Sequence, residues 1–123
     1  MKILLVDDDQ FSGTSLTEAF TTKNYVVNLV TDGETALKIA RSCPYDMIVL
    51  NLFSKGLKLC ELLRLGGYGG SIMMMSQLPE PDDAQAECDK SIHVGADDCM
   101  TQPYEMPELL DRMHQLLYSP APF

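Results

Sequence analysis

The stretch Tyr45–Phe53 (YDMIVLNLF) constrains the fold more than any other part of the chain. Residues 47–50 are four consecutive apolar residues, and Leu52 and Phe53 follow after a single polar residue, Asn51. A strand with one face in water would alternate apolar and polar side chains, so this pattern predicts a strand buried on both faces. Because open α/β sheets bind ligands at the carboxyl ends of their strands, Asn51 is the first candidate for a functional residue.

Strand patterns alternate with amphipathic helical patterns along the rest of the chain. The other predicted strands are Lys2–Val6, Tyr25–Val30, Ser71–Met75 and Cys99–Thr101. The predicted helices cover residues 10–22, 33–42, about 57–65, 84–94 and 105–118. Capping residues are predicted at 31–34 for the second helix and at Asp82 or Asp83 for the fourth. Five alternations predict an α/β fold: one parallel sheet with helices on both faces, joined by right-handed crossovers.

Length and charge exclude several classes of function. A chain of 123 residues is one domain, predicted to occupy residues 1–118, with 119–123 as a tail or the start of a linker. The net charge of -9 argues against direct nucleic-acid binding, which needs a basic surface. The apolar run at the N-terminus is too short for a signal peptide or a membrane span, so we expect a cytoplasmic protein without membrane contact.

The four cysteines, Cys43, Cys60, Cys88 and Cys99, form no CxxC pair and lie near no histidine cluster. This spacing argues against a zinc site or a disulfide framework and predicts reduced, mostly buried thiols. Nothing in the sequence lowers the pKa of Cys99, so we interpret it as a small apolar residue and not as a redox sensor. The methionines at 73–75 are predicted to fill the core.

Three segments, in this order along the chain, resemble the receiver domain of bacterial response regulators. They are Lys2–Asp9, Tyr45–Leu52 and Gly95–Pro103, and the resemblance extends from Lys2 to about Leu117. The resemblance implies a flavodoxin-like, doubly wound, five-stranded parallel sheet with strand order 2-1-3-4-5. It also implies that the Gln102-Pro103 peptide bond is cis, as the matching Lys-Pro bond is in the family.

The resemblance also assigns roles to positions in this sequence. Matching positions are the acidic pair Asp7 and Asp8, the phosphoacceptor position Asn51, the hydroxyl switch position Ser76, the aromatic switch position Cys99 and the lysine position Gln102. The family's metal ligands fall at Asp8, Asn51 and Phe53. With a neutral amide at 51, we expect weak Mg²⁺ binding at most and no other cofactor.

Three of these positions depart from the family pattern. The amide of Asn51 offers no carboxylate to attack phosphorus, and Gln102 lacks the charge that pairs with phosphoryl oxygens. The two changes compensate each other in formal charge. The family's pocket, with three carboxylates and one lysine, carries -2, and the pocket predicted here, with Asp7 and Asp8 alone, carries -2 as well. Cys99 cannot swing inward as an aromatic ring does. The turn 51–56 is about three residues short, and the segment 76–95 about four residues long, relative to the family's usual spacing.

These departures indicate an atypical, pseudo-receiver member of the family. The predicted function is a non-enzymatic interaction module of two-component signalling that works without phosphorylation. Its predicted partner is a protein, an attached effector domain or a second copy of the chain, bound through the face of the fourth helix, fifth strand and fifth helix. The alternative is a phosphorylatable receiver in which Asn51 replaces the acceptor aspartate.

Overall fold

The computed structural model describes residues 1–118, and the predicted tail at 119–123 lies outside the described residues. Five strands alternate with five helices. The strands are β1 Lys2–Asp7, β2 Val26–Val30, β3 Met47–Asn51, β4 Ser71–Ser76 and β5 Asp98–Thr101. The helices are α1 Gln10–Thr21, α2 Gly33–Ser42, α3 Gly56–Leu65, α4 Pro81–Val94 and α5 Met106–Tyr118.

The strands form one parallel sheet in the order β2-β1-β3-β4-β5, which confirms the predicted flavodoxin-like topology. Every residue of β3 is buried, as its apolar run predicted. The register pairs Asp7 at the end of β1 with Asn51 at the end of β3. Neighbouring strands therefore deliver these two polar side chains to the same edge of the sheet.

Each face of the sheet carries its own apolar core, which follows from the alternation of side chains along a strand. One core packs α2 and α3 on residues such as Leu4, Ile48 and Met74. The other packs α1 and α5 on residues such as Leu5, Val49 and Met73. The three consecutive methionines at 73–75 are at most 1% exposed and lie in the core, as predicted.

Local structure confirms two predictions and corrects the predicted start of the fourth helix. The Gln102-Pro103 bond is cis, and Asp32 caps α2 by accepting a hydrogen bond from the Thr35 N–H. The fourth helix begins earlier than predicted: Pro81 occupies its first turn, and Glu80 precedes it without a side-chain capping bond. Proline suits this position because the first N–H groups of a helix have no partner within the helix.

The prediction of four reduced thiols is wrong. Cys88 in α4 and Cys99 in β5 form a disulfide, whereas Cys43 and Cys60 are free. Four scattered cysteines carry no information about which pair the fold brings together, so the sequence could not predict this bond. Within residues 1–118, none of the helices is long and apolar enough to cross a membrane.

Candidate functional site

Polar side chains meet at the carboxyl edge of the sheet, where β1 and β3 end. Asp7 is fully buried and Asn51 is 2% exposed. The Asn51 Nδ2 donates hydrogen bonds to Asp7 Oδ2 at 2.9 Å and to Ser12 Oγ at 3.3 Å. An ionised carboxylate only accepts, so this contact assigns the amide nitrogen of Asn51 to the side facing Asp7.

The opposite side of the Asn51 amide is occupied by Gln77. Gln77 Nε2 donates to Asn51 Oδ1 at 2.7 Å and to the Asn51 backbone oxygen at 3.1 Å. The side-chain oxygen and nitrogen of Asn51 are therefore both engaged by protein groups. Buried amides are stable only when paired in this way, so these contacts fix the side chain in one orientation.

The carboxylate of Asp7 completes the network. Its Oδ1 accepts from the Asp9 N–H at 2.8 Å, and its Oδ2 accepts from Ser12 Oγ at 2.8 Å as well as from Asn51. Asp9 caps α1 through the Phe11 N–H, and this cap places Ser12 in the first turn of α1, over the edge of the sheet. One buried negative charge is thus held by neutral donors alone.

Asp8 makes no hydrogen bond to the side chains of this network within residues 1–118. It is exposed, and its Oδ2 accepts a hydrogen bond from the Phe53 N–H at 3.0 Å. A divalent cation at this edge would compete with Gln77 for the Asn51 side-chain oxygen. Residues 1–118 bring together no group of three histidine, cysteine or carboxylate side chains suited to a metal ion. The residues present therefore fit Mg²⁺ poorly, and weak binding through Asp8, Asn51 and Phe53 stays a prediction.

The structure separates the predicted switch and lysine positions from the network. Ser76 is buried at the end of β4, and its Oγ accepts a long contact of 3.4 Å from the Leu78 N–H. Gln102 is exposed, and its side chain has no hydrogen-bond partner within residues 1–118. The glutamine that reaches Asn51 is Gln77, which follows the end of β4 and is not among the positions that the resemblance assigns.

Tyr104 lies beside the network on the chain that follows β5. Burial and, to a smaller extent, the nearby Asp7 carboxylate raise the pKa of its phenol above the ordinary value. The ring lines a surface cavity with Leu78, Pro79 and Gln102. An aromatic ring and an exposed neutral amide therefore line this cavity, and Gln102 is the residue for which the resemblance predicts the family's lysine position.

A second group of interest is the surface formed by α4, β5 and α5, which we call the output face. Cys88 and Cys99 link α4 to β5 through their disulfide. Arg112 of α5 forms ion pairs with Asp98 at 3.2 Å and with Glu108 at 2.9 Å. The disulfide joins α4 to β5, and the Arg112–Asp98 ion pair joins α5 to β5, whereas the Arg112–Glu108 pair lies within α5. The two histidines, His93 and His114, are exposed on α4 and α5.

Comparisons with known proteins agree with this fold. Residues 3–114 match the family described as the response regulator receiver domain. Response regulator RppA of Synechocystis sp. is 33% identical over 121 residues, which are 94% of this chain and 50% of that protein. Transcriptional regulatory protein CusR of Escherichia coli is 30% identical over 120 residues, 95% of this chain and 51% of CusR. The chain spans about half the length of these two relatives.

Solved structures give the same result. The BeF3-activated N-terminal receiver domain of Klebsiella pneumoniae RstA superposes with a TM-score of 0.79 and 26% identity, covering 97% of this chain and 100% of that one. A two-component response regulator from Clostridium difficile superposes with a TM-score of 0.81 and 24% identity, covering 97% of each chain. Strand order and helix placement are therefore shared with these proteins across nearly the whole chain.

Proposed function

The chain belongs to the response regulator receiver domain family, and we propose that it is a pseudo-receiver, which binds its partner without being phosphorylated. Receiver domains are signalling modules of two-component systems, and their usual input is phosphorylation of an aspartate at the end of β3. This chain has Asn51 at that position. In this proposal the domain keeps the receiver fold and binds a partner through its surface, but it no longer accepts a phosphoryl group.

One observation carries the proposal: the side chain of Asn51 is buried and hydrogen-bonded at both ends. Its nitrogen contacts Asp7 and its oxygen contacts Gln77. Attack on phosphorus needs a free, ionised oxygen with an open approach, and a paired neutral amide has neither. Gln102, at the lysine position, is exposed and uncharged, so the charge partner of a phosphoryl group is missing as well.

The output face is the proposed binding surface. It exposes acidic and polar side chains of α4, including Asp82, Asp83, Asp89 and Lys90, together with part of Ile92. A surface with few apolar groups and both signs of charge suits a protein partner that is recognised by electrostatic complementarity. The net charge of -9 again makes nucleic acid an unsuitable direct ligand.

The proposed partner is an effector domain or a second copy of the chain, in the cytoplasm. Two observations motivate this proposal: the relatives RppA and CusR are about twice as long as this chain, and CusR is named a transcriptional regulatory protein. The upstream kinase of a phosphorylatable receiver has no role in this proposal, because its target side chain is absent. The domain itself catalyses no reaction.

A phosphodonor assay tests the proposal against the alternative of a substituted phosphoreceiver. The protein is incubated with acetyl phosphate and Mg²⁺, and its intact mass is measured before and after treatment with hydroxylamine. We expect an unchanged mass. An added phosphoryl group that hydroxylamine removes would show an acyl phosphate on a carboxylate and would overturn the proposal.

Two variants sharpen this assay. Asn51→Asp restores the carboxylate alone, and Asn51→Asp with Gln102→Lys also restores the charge partner. We expect no phosphorylation of the single variant and at most a trace in the double variant, because the turn 52–55 and Gln77 still shape the pocket. Efficient phosphorylation of Asn51→Asp alone would favour the alternative, since the rest of the pocket would then be competent.

A further inference from the structure

The disulfide between Cys88 and Cys99 joins the two elements at the centre of the output face. The cysteines are 11 residues apart in sequence, and their Cα atoms lie 5.3 Å apart. Cys99 occupies the position at which the resemblance places the aromatic switch residue. The residue that would move between two states in a phosphorylated receiver is therefore held covalently against α4.

Helix α4 packs against β4, β5 and α3, and the disulfide is its covalent attachment to β5. Only Ala84, Cys88 and Ser91 of its 14 residues are buried. Its first turn contains Pro81 and lacks a side-chain cap, so no polar contact fixes its N-terminus. A narrow buried stripe limits what apolar burial contributes to the position of this helix, so the disulfide adds to the packing that holds α4.

The disulfide is also within reach of a reagent. Cys88 and Cys99 both line a surface cavity of about 330 Å³, together with Gln85 and Arg112. Cys88 is 5% exposed, whereas Cys99 is only partly buried. Arg112 Nη1 donates to the Cys99 backbone oxygen at 3.3 Å, which places a positive charge beside this cysteine. The same guanidinium group also pairs with the carboxylates of Asp98 and Glu108.

The other two cysteines show a contrast. Cys60 is completely buried, and burial raises the pKa of its thiol. Cys43 is partly buried at the end of α2, far along the chain from the pair. Cys43 also lines a surface cavity, but among the four cysteines Cys88 and Cys99 are the two that lie close enough to share a bond beside one.

We propose that Cys88 and Cys99 are a reversible redox modification site, which exchanges with glutathione or a protein dithiol and thereby fixes or releases α4. In reduction, a thiolate of the reductant attacks Cys99 Sγ, the S–S bond breaks, and Cys88 leaves as a thiolate that takes up a proton. A second thiol of the reductant then displaces Cys99 from the mixed disulfide. Two electrons pass to the cysteines, and the reductant becomes a disulfide.

Oxidation is the reverse exchange with oxidised glutathione or a protein disulfide. The glutathione pool of the cytoplasm keeps most accessible thiols reduced. A cysteine pair there forms a disulfide only when the glutathione pool becomes more oxidised. The consequence, a change of the output face, rests on the proposed function. The redox step itself needs no partner and no phosphoryl chemistry, so its failure and that of the proposed function are separately detectable.

The test is a titration of the wild-type protein in buffers of varied ratio of reduced to oxidised glutathione. Thiols are trapped by acid and alkylation, and the peptides holding Cys88 and Cys99 are quantified by mass spectrometry. Amide hydrogen exchange of α4 is measured in the same samples. We expect both forms to be populated within the range of ratios, and exchange in α4 to be faster by about tenfold or more in the reduced form.

Matched variants complete the design. Cys43→Ser keeps the pair, so we expect it to titrate as the wild type does. Cys99→Ser removes it, so we expect fast exchange in α4 at every ratio and no change in β3. A pair that stays linked in the most reducing buffer, or stays open in the most oxidising one, overturns the proposal. Reduction without any change in the exchange of α4 overturns it too, and the wild-type titration decides even where Cys99→Ser does not fold.

Discussion

Substitution of Asn51 by aspartate tests whether the buried network is built around one negative charge. In the structure Asn51 Nδ2 lies 2.9 Å from Asp7 Oδ2, and both residues are almost completely buried. An aspartate in the same conformation would place a second carboxylate oxygen against the first. At a separation near 3 Å and an effective dielectric constant of about 20, the repulsion is about 5 kcal/mol.

Protonation limits this cost. A carboxyl group with an ordinary pKa near 4 can stay neutral at pH 7 at a cost of about 4 kcal/mol, which is roughly three pKa units. We therefore expect Asn51→Asp to lose about 4 kcal/mol of unfolding free energy at pH 7, or roughly 15 °C in the melting temperature. Because the folded-state pKa of the new carboxyl is raised, the loss is absent below about pH 4 and grows with rising pH.

Thermal melts followed by circular dichroism at pH 4 to 8, with and without Mg²⁺, measure these effects. We expect Mg²⁺ to stabilise Asn51→Asp by about 2.7 kcal/mol at 100 times its dissociation constant, because Asp7, Asp8 and the new carboxylate make a hard oxygen site. The wild type should shift much less. Equal melting temperatures of variant and wild type at pH 7 without Mg²⁺ would refute the reasoning.

A charge-conserving swap is the matched control. The double variant Asp7→Asn with Asn51→Asp keeps one carboxylate and one amide in contact, with their positions exchanged. It should recover most of the stability that Asn51→Asp loses, although Ser12 and the Asp9 N–H then compete for the single oxygen of the new amide. A double variant as unstable as Asn51→Asp would attribute the loss to shape and not to charge.

Three further predictions concern stability and binding. Cys99→Ser should lower the melting temperature under oxidising conditions by roughly 10 °C, because the disulfide closes a loop of about 12 residues and such a bond stabilises by about 3 kcal/mol. Calorimetry in reducing buffer should show no difference between the variant and the wild type. Burial raises the pKa of Tyr68, whose hydroxyl donates to the Tyr45 carbonyl, so stability should be full below about pH 10 and fall as pH rises further. Tyr68→Phe should reduce that alkaline loss in melts at pH 9 to 12. Reversing the charges of Asp89 and Lys90 together should weaken self-association or effector binding in sedimentation experiments. If Asn51→Ala abolishes binding while the fold stays intact, the network around Asn51 controls binding at the output face, and the prediction is wrong.

The fold was predictable because the pattern of apolar and polar residues indicates which segments are buried strands and which are amphipathic helices. Four apolar residues before Asn51 indicated a central strand, and the structure places that strand in the middle of the sheet. The boundaries of most strands and helices agree to within about two residues. The start of α4 was wrong because Asp82 and Asp83 are stronger capping residues than Glu80, whereas Pro81 at the first helical position was the better indication.

The site was predictable only in part. Asn51 and Asp7 follow from strand ends that share an edge, but Gln77 depends on which way its side chain turns from the end of β4. A long amide side chain has several rotamers, and sequence cannot choose among them. Gln102 was expected in the pocket from the resemblance and is exposed in the structure.

The changes at Asn51 and Cys99 affect the two ends of one signalling route. In a phosphorylated receiver, charge enters at the end of β3, and a switch residue on β5 carries the change to the output face. Here Asn51, at the acceptor position that the resemblance assigns, is a paired amide, and Cys99, at the assigned switch position, is bonded to α4. A domain that kept the switch aromatic but lost the acceptor would retain an equilibrium with no input to shift it. A disulfide at that same position gives α4 a different input, because reduction releases the contact that phosphorylation would otherwise have moved.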